Sequence, residues 1–363
     1  MKRSLSVVIL LLTISVIGCG QTDTQPDISD SLSAPSPAQP AQTVPENMQE
    51  TVNEPEFIPD DRPAGVNLSI VSTIFPQYDW VCQILGDRVE HKDLTLLINN
   101  RIDLHNYQPS VSDITKISTC DLFIYVGGES DGWVEAVLEQ AINPDMVVIN
   151  LIKLLGDAAL IDEPLDDGQN HSHHHHHHDD DEDEYDEHVW LSIRNANIFC
   201  SAISGALSVL DPELSGVYKD NLAAYIEKLT ALDAEYKMVA SEASVDTLLF
   251  ADRFPFRYLL NDYGLSYYAA FPGCSAETEA SFQTIVFLAR KIDELGLTSV
   301  MVTESADQTI AATIISNSKT GDQQILVLDS MQSSNTDDWQ RGVTFLSTME
   351  SNLKILKAAL ADR

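Results

Sequence analysis

Residues 213–243 read ELSGVYKDNLAAYIEKLTALDAEYKMVASEA. Leu222, Tyr225, Ile226, Leu229, Leu232, Tyr236 and Val239 fall at steps of three and four, which lays an apolar stripe along one face of a long helix. Asp211 is a good N-cap residue and Pro212 suits a first helical turn, so the helix is expected from Pro212 to about Ala243. On its N-terminal side stand the apolar runs VNLSIV (66–71), LTLLI (94–98), DLFIYVGG (121–128) and MVVIN (146–150), with a helical segment from Tyr78 to Leu85 that stops at Gly86. On its C-terminal side stand TLLFA (247–251), LSYYAAF (265–271), TSVMVTE (298–304) and QILVLDS (324–330), with helices such as ETEASFQTIVFLARKIDELG (277–296) between them. Short continuous apolar runs alternating with helices read as buried parallel strands. The predicted fold is therefore α/β: two α/β lobes with mostly parallel central sheets, joined by one long helix. Ligands of such folds sit in the crevice beyond the carboxyl ends of the strands.

A different chemistry is written between the first lobe and the helix. Residues 171–191 read HSHHHHHHDDDEDEYDEHVWL. His171, His173, His174, His175, His176, His177 and His178 lie within eight residues, a carboxylate run follows, and His188 stands just beyond it. Imidazole is the commonest metal ligand near neutral pH and suits zinc, copper and nickel, while carboxylates suit harder cations. The tract has no apolar period with which to build a core, so it reads as a solvated loop that captures metal.

The N-terminus reads as an address. Met1-Lys2-Arg3 precedes the apolar stretch LSVVILLLTISVIG, too short to span a bilayer comfortably, and Val16-Ile17-Gly18-Cys19 resembles a lipobox. Cys19 is then the lipidated residue. Residues 20–64 are rich in Gln, Thr, Asp, Ser, Pro and Glu and read as a disordered tether. This places the folded part on the extracytoplasmic face of the cell membrane, lipid-anchored. The formal charge of −35, from 56 acidic against 21 basic residues, argues against nucleic-acid binding and favours attraction of cations. If Cys19 is lipidated, Cys82, Cys120, Cys200 and Cys274 remain, with no C-x-x-C knuckle among them. Cys82–Cys120 is the favoured disulfide, four buried thiols the alternative.

Several ordered stretches carry a family resemblance. STIFPQYDWVCQILGD (72–87) looks like an opening strand and helix, and LINNRIDLHNYQPSVSDITKISTCDLFIYVGGESDGWVEAVL (97–138) sets His105 before an aromatic-x-Pro-x-x-x-Asp-Ile run. DEHVWLS (186–192) resembles D-P-H-x-W-L-x, and YGLSYYAAFPGCSAETEASFQTIVFLARKI (263–292), VTES (302–305) and VLDSMQS (327–333) continue in order. From Val66 to Leu360 the chain resembles the zinc/manganese solute-binding lipoproteins of ABC importers, which join their lobes by a rigid helix. The resemblance implies an extracytoplasmic receptor that binds metal in the interlobe cleft and delivers it to an ABC permease driven by a separate ATPase. A monomer is expected. It implies His105 and His188 as ligands from the first lobe. In the second lobe the family's H-x-x-aromatic-x-Tyr histidine is absent, since no histidine follows His188; Asp252 is taken as its substitute, with Arg253 beside it. Asp329 matches a carboxylate of manganese-type members, and Glu304 is the reserve ligand. Asp186 and Glu187 are read as solvated, with orientation of a ring nitrogen as the alternative.

The donor set suits zinc or manganese; the histidine-rich tract favours Zn2+, with Mn2+ as the alternative. A surface metal buffer or adhesin using the tract alone is a further alternative. An enzyme is not expected: the chain contains no H-E-x-x-H, G-x-S-x-G or P-loop, and Glu304 or Glu129 stands as a general base by position only. The expected organisation is signal peptide 1–18, lipidated cysteine and tether 19–64, first lobe 65–210 with the His/Asp-rich loop 162–187, connecting helix 211–245 and second lobe 246–363. Cys19→Ser is expected to release the protein from the membrane fraction, since a soluble tether has no other hold on lipid; continued membrane fractionation would instead mean that the apolar segment persists as an anchor.

Overall fold

A parallel sheet is stable when both faces are covered, and the chain meets this demand twice. The structure, a computed structural model, describes residues 67–99, 101–162, 165, 184–273 and 280–361. The first lobe runs β1 (Ser69–Ser72), α1 (Phe75–Leu85), β2 (Asp93–Leu96), α2 (Val111–Thr119), β3 (Leu122–Tyr125), α3 (Val134–Leu138), β4 (Val147–Asn150) and α4 (Leu151–Leu155). Two long helices follow, α5 (Ile193–Leu210) and α6 (Ser215–Ser241). The second lobe runs β5 (Thr247–Phe254), α7 (Arg257–Tyr263), β6 (Ser266–Pro272), α8 (Phe282–Leu295), β7 (Ser299–Thr303), α9 (Thr309–Ser316), β8 (Gln324–Leu328), α10 (Thr336–Gln340) and α11 (Phe345–Ala359). The sheets have the orders β2-β1-β3-β4 and β6-β5-β7-β8, with every pairing parallel. In each, the connections leave in opposite directions from the two central strands, so a crevice opens beyond their carboxyl ends.

The expected long helix is present. Tyr218, Tyr225, Leu229, Leu232 and Tyr236 of α6 are buried, and Leu222, Ile226 and Val239 are half-buried, so the apolar stripe faces inward. Full burial of such side chains contributes about 1.5–3 kcal/mol each. At its start Asn221 Nδ2 donates to Ile84 O at 2.9 Å, on α1; further along, Tyr236 OH donates to Met349 O at 2.6 Å, on α11. One continuous hydrogen-bonded rod of about 40 Å is thereby fastened to both lobes. Trp80 of α1 packs on Phe199 of α5 and Phe345 of α11, and one apolar cluster runs through the first lobe, α5, α6 and part of the second. A second cluster lies between α8, α9 and the other sheet.

Two local expectations give way to the structure, and one helix appears that was not expected. Asp211 takes the expected N-cap position, with Pro212 in the first turn, but the turn is a 3-10 turn, Pro212–Leu214, ahead of α6, and its side chain makes no cap bond: the buried carboxylate accepts from Lys92 Nζ at 2.9 Å and Tyr218 OH at 3.1 Å. A buried carboxylate takes a cation and a hydroxyl before an exposed cap. Cys82 and Cys120 are buried free thiols and not a disulfide: one lies within α1, and the other ends α2 with its thiol on Ile117 O. Cys200 is likewise free and buried. α5 has no counterpart in the sequence reading, although Ile193, Ala196, Phe199, Cys200, Ile203 and Leu207 recur at helical spacing and are fully buried. The signal peptide, Cys19, the tether, the seven clustered histidines and Cys274 lie outside the described residues.

Candidate metal centre

The site begins with two turns of the first lobe. After β2 the chain makes a single 3-10 turn, Leu104–Asn106, whose start is held by Asp103 Oδ1 accepting from His105 N at 3.1 Å. That turn carries His105. The second turn, Val189–Leu191, follows His188, and Val189, Trp190 and Leu191 are all buried, so their burial drives His188 inward. His188 is fully buried, and His105 Nε2 lies 3.3 Å from His188 Nε2.

Each ring is oriented through its other nitrogen. Asp186 Oδ1 accepts from His188 N at 2.8 Å and lies 3.0 Å from His188 Nδ1. Glu187 Oε2 lies 3.2 Å from His105 Nδ1, and Ser130 Oγ lies 2.7 Å from the same atom. Glu187 in turn accepts from Ser130 N at 2.7 Å and Ser130 Oγ at 2.5 Å. Carboxylates beside both Nδ1 atoms favour the tautomers that carry the imidazole proton there, the form in which each Nε2 can donate a lone pair to a cation. Burial alone would lift the Asp186 carboxyl, but the His188 and Arg257 charges and the His188 hydrogen bonds hold it below the usual range. Glu187 is lowered against burial in the same way, by His105 and Ser130. Burial would lower His105, yet the Glu187 hydrogen bond and the charges of Asp103 and Glu187 carry it above its ordinary value.

Two glycines make the room. Gly128, at a φ of 83°, follows β3, and a Cβ there would fall 2.4 Å from Glu187 Oε1. At Gly273, after β6, a Cβ would lie 2.8 Å from both His188 Cε1 and the Phe254 carbonyl oxygen. The second lobe thus touches the His188 ring with bare backbone. It also grips the segment before that ring: Arg257 Nε donates to Asp186 Oδ2 at 3.2 Å, and Tyr258 OH donates to Asp186 O at 3.0 Å. Trp190 Nε1 donates to Ser330 O at 2.9 Å, which ties the His188 turn to the loop after β8. A cleft of about 940 Å³ opens beside His105, lined by Glu187, Ser130, Lys153 and Tyr185 among others.

The expected second-lobe carboxylates stand near one another in the fold but are engaged elsewhere. Glu304 accepts from Ser330 N at 2.9 Å and from Ser330 Oγ at 3.0 Å. Asp329 Oδ1 accepts from Met331 N at 2.8 Å, where Met331 is held at a φ of 62°. Burial, and then the Glu304 charge, push the Asp329 carboxyl up to about 6. Asp252 Oδ2 accepts from Thr303 N at 3.1 Å and from the Thr303 hydroxyl, on β7. The β5–β6 register shifts between Phe250 and Arg253, and counted back from Phe256 and Tyr258 the H-x-x-aromatic-x-Tyr pattern starts at Arg253. Among the described residues, no three or more His, Cys, Asp or Glu side chains converge as metal donors. The structure brings together His105 and His188, and beside them Asp186 and Glu187. These two carboxylates are buried hydrogen-bond acceptors, not the solvated pair expected. Ser130 and Asp103 escaped the sequence reading, and nothing in their local pattern marks them: they matter only through chain folding.

Two imidazole nitrogens about 2.05 Å from one tetrahedral ion lie about 3.3 Å apart. The observed pair has that separation.

Comparison with known proteins agrees in fold and in sequence. The family model described as ZnuA, zinc-uptake complex component A, periplasmic, matches residues 70–359. The zinc-binding lipoprotein AdcA of Streptococcus pneumoniae is 32% identical over 298 residues, 82% of this chain and 57% of AdcA, so the chain spans little more than half of that relative. The high-affinity zinc uptake system protein ZnuA of Bacillus subtilis is 29% identical over 296 residues, 82% of this chain and 88% of that protein. The crystal structure of the Zn(II)-bound ZnuA-like domain of S. pneumoniae AdcA superposes with a TM-score of 0.63 at 29% identity, covering 82% of this chain and 100% of the domain.

Gly273→Ala should displace the His188 ring or the Phe254 backbone. The expected cost is about 1–3 kcal/mol in chemical denaturation, with a shifted His188 imidazole resonance; an unchanged resonance would mean that the contact is relieved elsewhere.

Proposed function

The chain belongs to the family of ZnuA, the periplasmic component A of a zinc-uptake complex, and on that premise we propose that it is an extracytoplasmic receptor that captures zinc and delivers it to the permease of an ABC importer, powered by a separate ATPase. The observation that carries this reading is the 3.3 Å approach of His105 Nε2 to His188 Nε2, with both Nδ1 atoms facing buried carboxylates. A cation between the two Nε2 atoms gains two nitrogen donors already close to the separation a tetrahedral ion requires.

The chemistry follows from these side chains. Glu187 with Ser130 and Asp186 with Arg257 hold the rings before metal arrives, so little side-chain entropy remains to be lost on capture. Second-lobe donors complete the shell: Asp329 and Asp252, with Glu304 in reserve. Asp252 must first give up Thr303, and Asp329 is already set beside a second carboxylate that favours a cation. Two imidazoles lean towards zinc over manganese, and AdcA and ZnuA are named as zinc proteins. α6, fastened at both lobes, resists wide hinge opening, so release proceeds by small lobe shifts or loop movement around Asp252 and Asp329. The histidines of residues 171–178 form an auxiliary reservoir, and Cys19 with the tether to residue 64 holds the receptor at the membrane. The folded part divides as first lobe 65–210, connecting helix 211–245 and second lobe 246–363. It acts as a monomeric receptor and not as an enzyme.

Calorimetry tests the site. The His105→Ala, His188→Ala double variant is expected to lose the tight zinc site and keep weaker binding to the histidine tract, whereas deletion of 171–183, which spares Asp186 and Glu187, keeps the tight site. The opposite pattern would favour a surface metal buffer. The pH dependence has a defined sign. Protons compete with metal for His105, whose pKa is raised, and for Asp329, whose pKa is about 6. Affinity is therefore expected to hold above about pH 7.5 and to fall towards about pH 5.5; a flat profile in a zinc titration would exclude these ligands.

A further inference from the structure

One charged pair at the site has no role in the capture chemistry above. Arg253, in the second lobe just past the β5 register shift, donates from Nη1 to Asp103 Oδ2 at 2.5 Å, in the first lobe. The other oxygen of Asp103 holds the His105 backbone N and lies 3.9 Å from His105 Nε2. A permanent positive charge is thus one carboxylate away from the nitrogen proposed to take the metal. Guanidinium cannot shed its proton, so it cannot make way for a metal by becoming neutral; it has to move. Its side chain is 24% exposed, against 14% for Asp103, so solvent is available on one side to receive it.

We propose that Arg253 is a resident competitor of the metal for Asp103: it latches the metal-free cleft by bridging the lobes through Asp103, and it surrenders that carboxylate when a divalent cation docks between His105 and His188. This rests on the zinc-capture reading. When the latch opens, Asp103 keeps its hold on the His105 turn and its freed oxygen faces the incoming charge. When the metal leaves, Arg253 returns to the carboxylate, so departure of the cargo is coupled to closure of an ion pair. The device sets affinity below what the same donors would give beside a neutral residue, which suits a receptor that must hand its cargo on. Asp103 and Arg253 are positioning residues in this scheme: their effect on the cargo runs through charge and through the His105 turn.

The test uses the full-length protein and zinc alone, with affinity read by competition against a fluorescent chelator and release by stopped flow. Arg253→Gln and Arg253→Met should each tighten zinc binding by about tenfold or more, the size expected for removing one like charge near a divalent ion, and should slow release. Arg253→Lys, which keeps the charge, should stay within about threefold of the parent. Asp103→Asn should weaken binding, because Arg253 is left unopposed. In the metal-free protein, hydrogen exchange at residues 103–107 should rise in Arg253→Gln and Asp103→Asn alike. Unchanged or weaker affinity in both neutral variants, or a lysine variant behaving like the neutral ones, overturns the proposal. If one neutral variant does not fold, the other and Asp103→Asn still decide it. Should the His105→Ala, His188→Ala double variant abolish tight binding while Arg253→Gln changes nothing, this inference fails and the capture site stands. Should the double variant bind as the parent does, the capture reading itself fails.

Discussion

Asp186 is a carboxylate at 1% exposure, and a charge so deeply buried has to be matched from several sides at once. One oxygen faces the backbone and Nδ1 of His188, in the first lobe; the other takes Arg257, from the second. Its carbonyl takes Tyr258, whose hydroxyl also accepts Leu160 N. The orientation of the His188 ring therefore depends on the two lobes being held against each other. Much of the remaining architecture serves that demand: α6 spans both lobes, α11 returns to α1, and Trp190 reaches the loop after β8.

The same arrangement explains why the centre sits where it does. Parallel sheets direct their strand ends to one edge, and segments that follow β2, β6 and β8 meet around the His188 turn. The first lobe contributes preset imidazoles, each with a carboxylate at its back. The second contributes carboxylates that are hydrogen-bonded to its own strands and loops, through Thr303, Ser330 and Met331. In the proposed shell, the first-lobe half is preset and the second-lobe half is held by hydrogen bonds that have to be exchanged for the metal. Under the proposed capture role that division is sound physics: preset imidazoles would select nitrogen-preferring ions, and exchangeable carboxylates would give the ion a route out.

Much of this was legible in the residues. Apolar runs of four to eight residues between helical segments declared a parallel α/β architecture, and the three-and-four spacing from Leu222 to Val239 declared the strut, because burial leaves a periodic mark on the chain. His105 and His188 could be singled out from their motif context. Asp211 stands at the N-cap position its neighbours suggest, but Lys92, 119 residues away, takes its side chain. Asp186 and Glu187 looked solvated because they end an acidic run, and only the fold buries them.

What the sequence determined by itself was the eight strands, their order, the long helix, and the residue types proposed as metal ligands, all of which depend on local periodicity and chemistry. What tertiary structure alone decided was pairing. The 3.3 Å approach of two rings 83 residues apart, the Ser130–Glu187 support behind His105, the bare backbone of Gly273 against His188 and the Arg253–Asp103 bridge all join distant segments. Such contacts leave no periodic trace in a single chain, because each is a coincidence of position created only when the sheets and the connecting helix have packed.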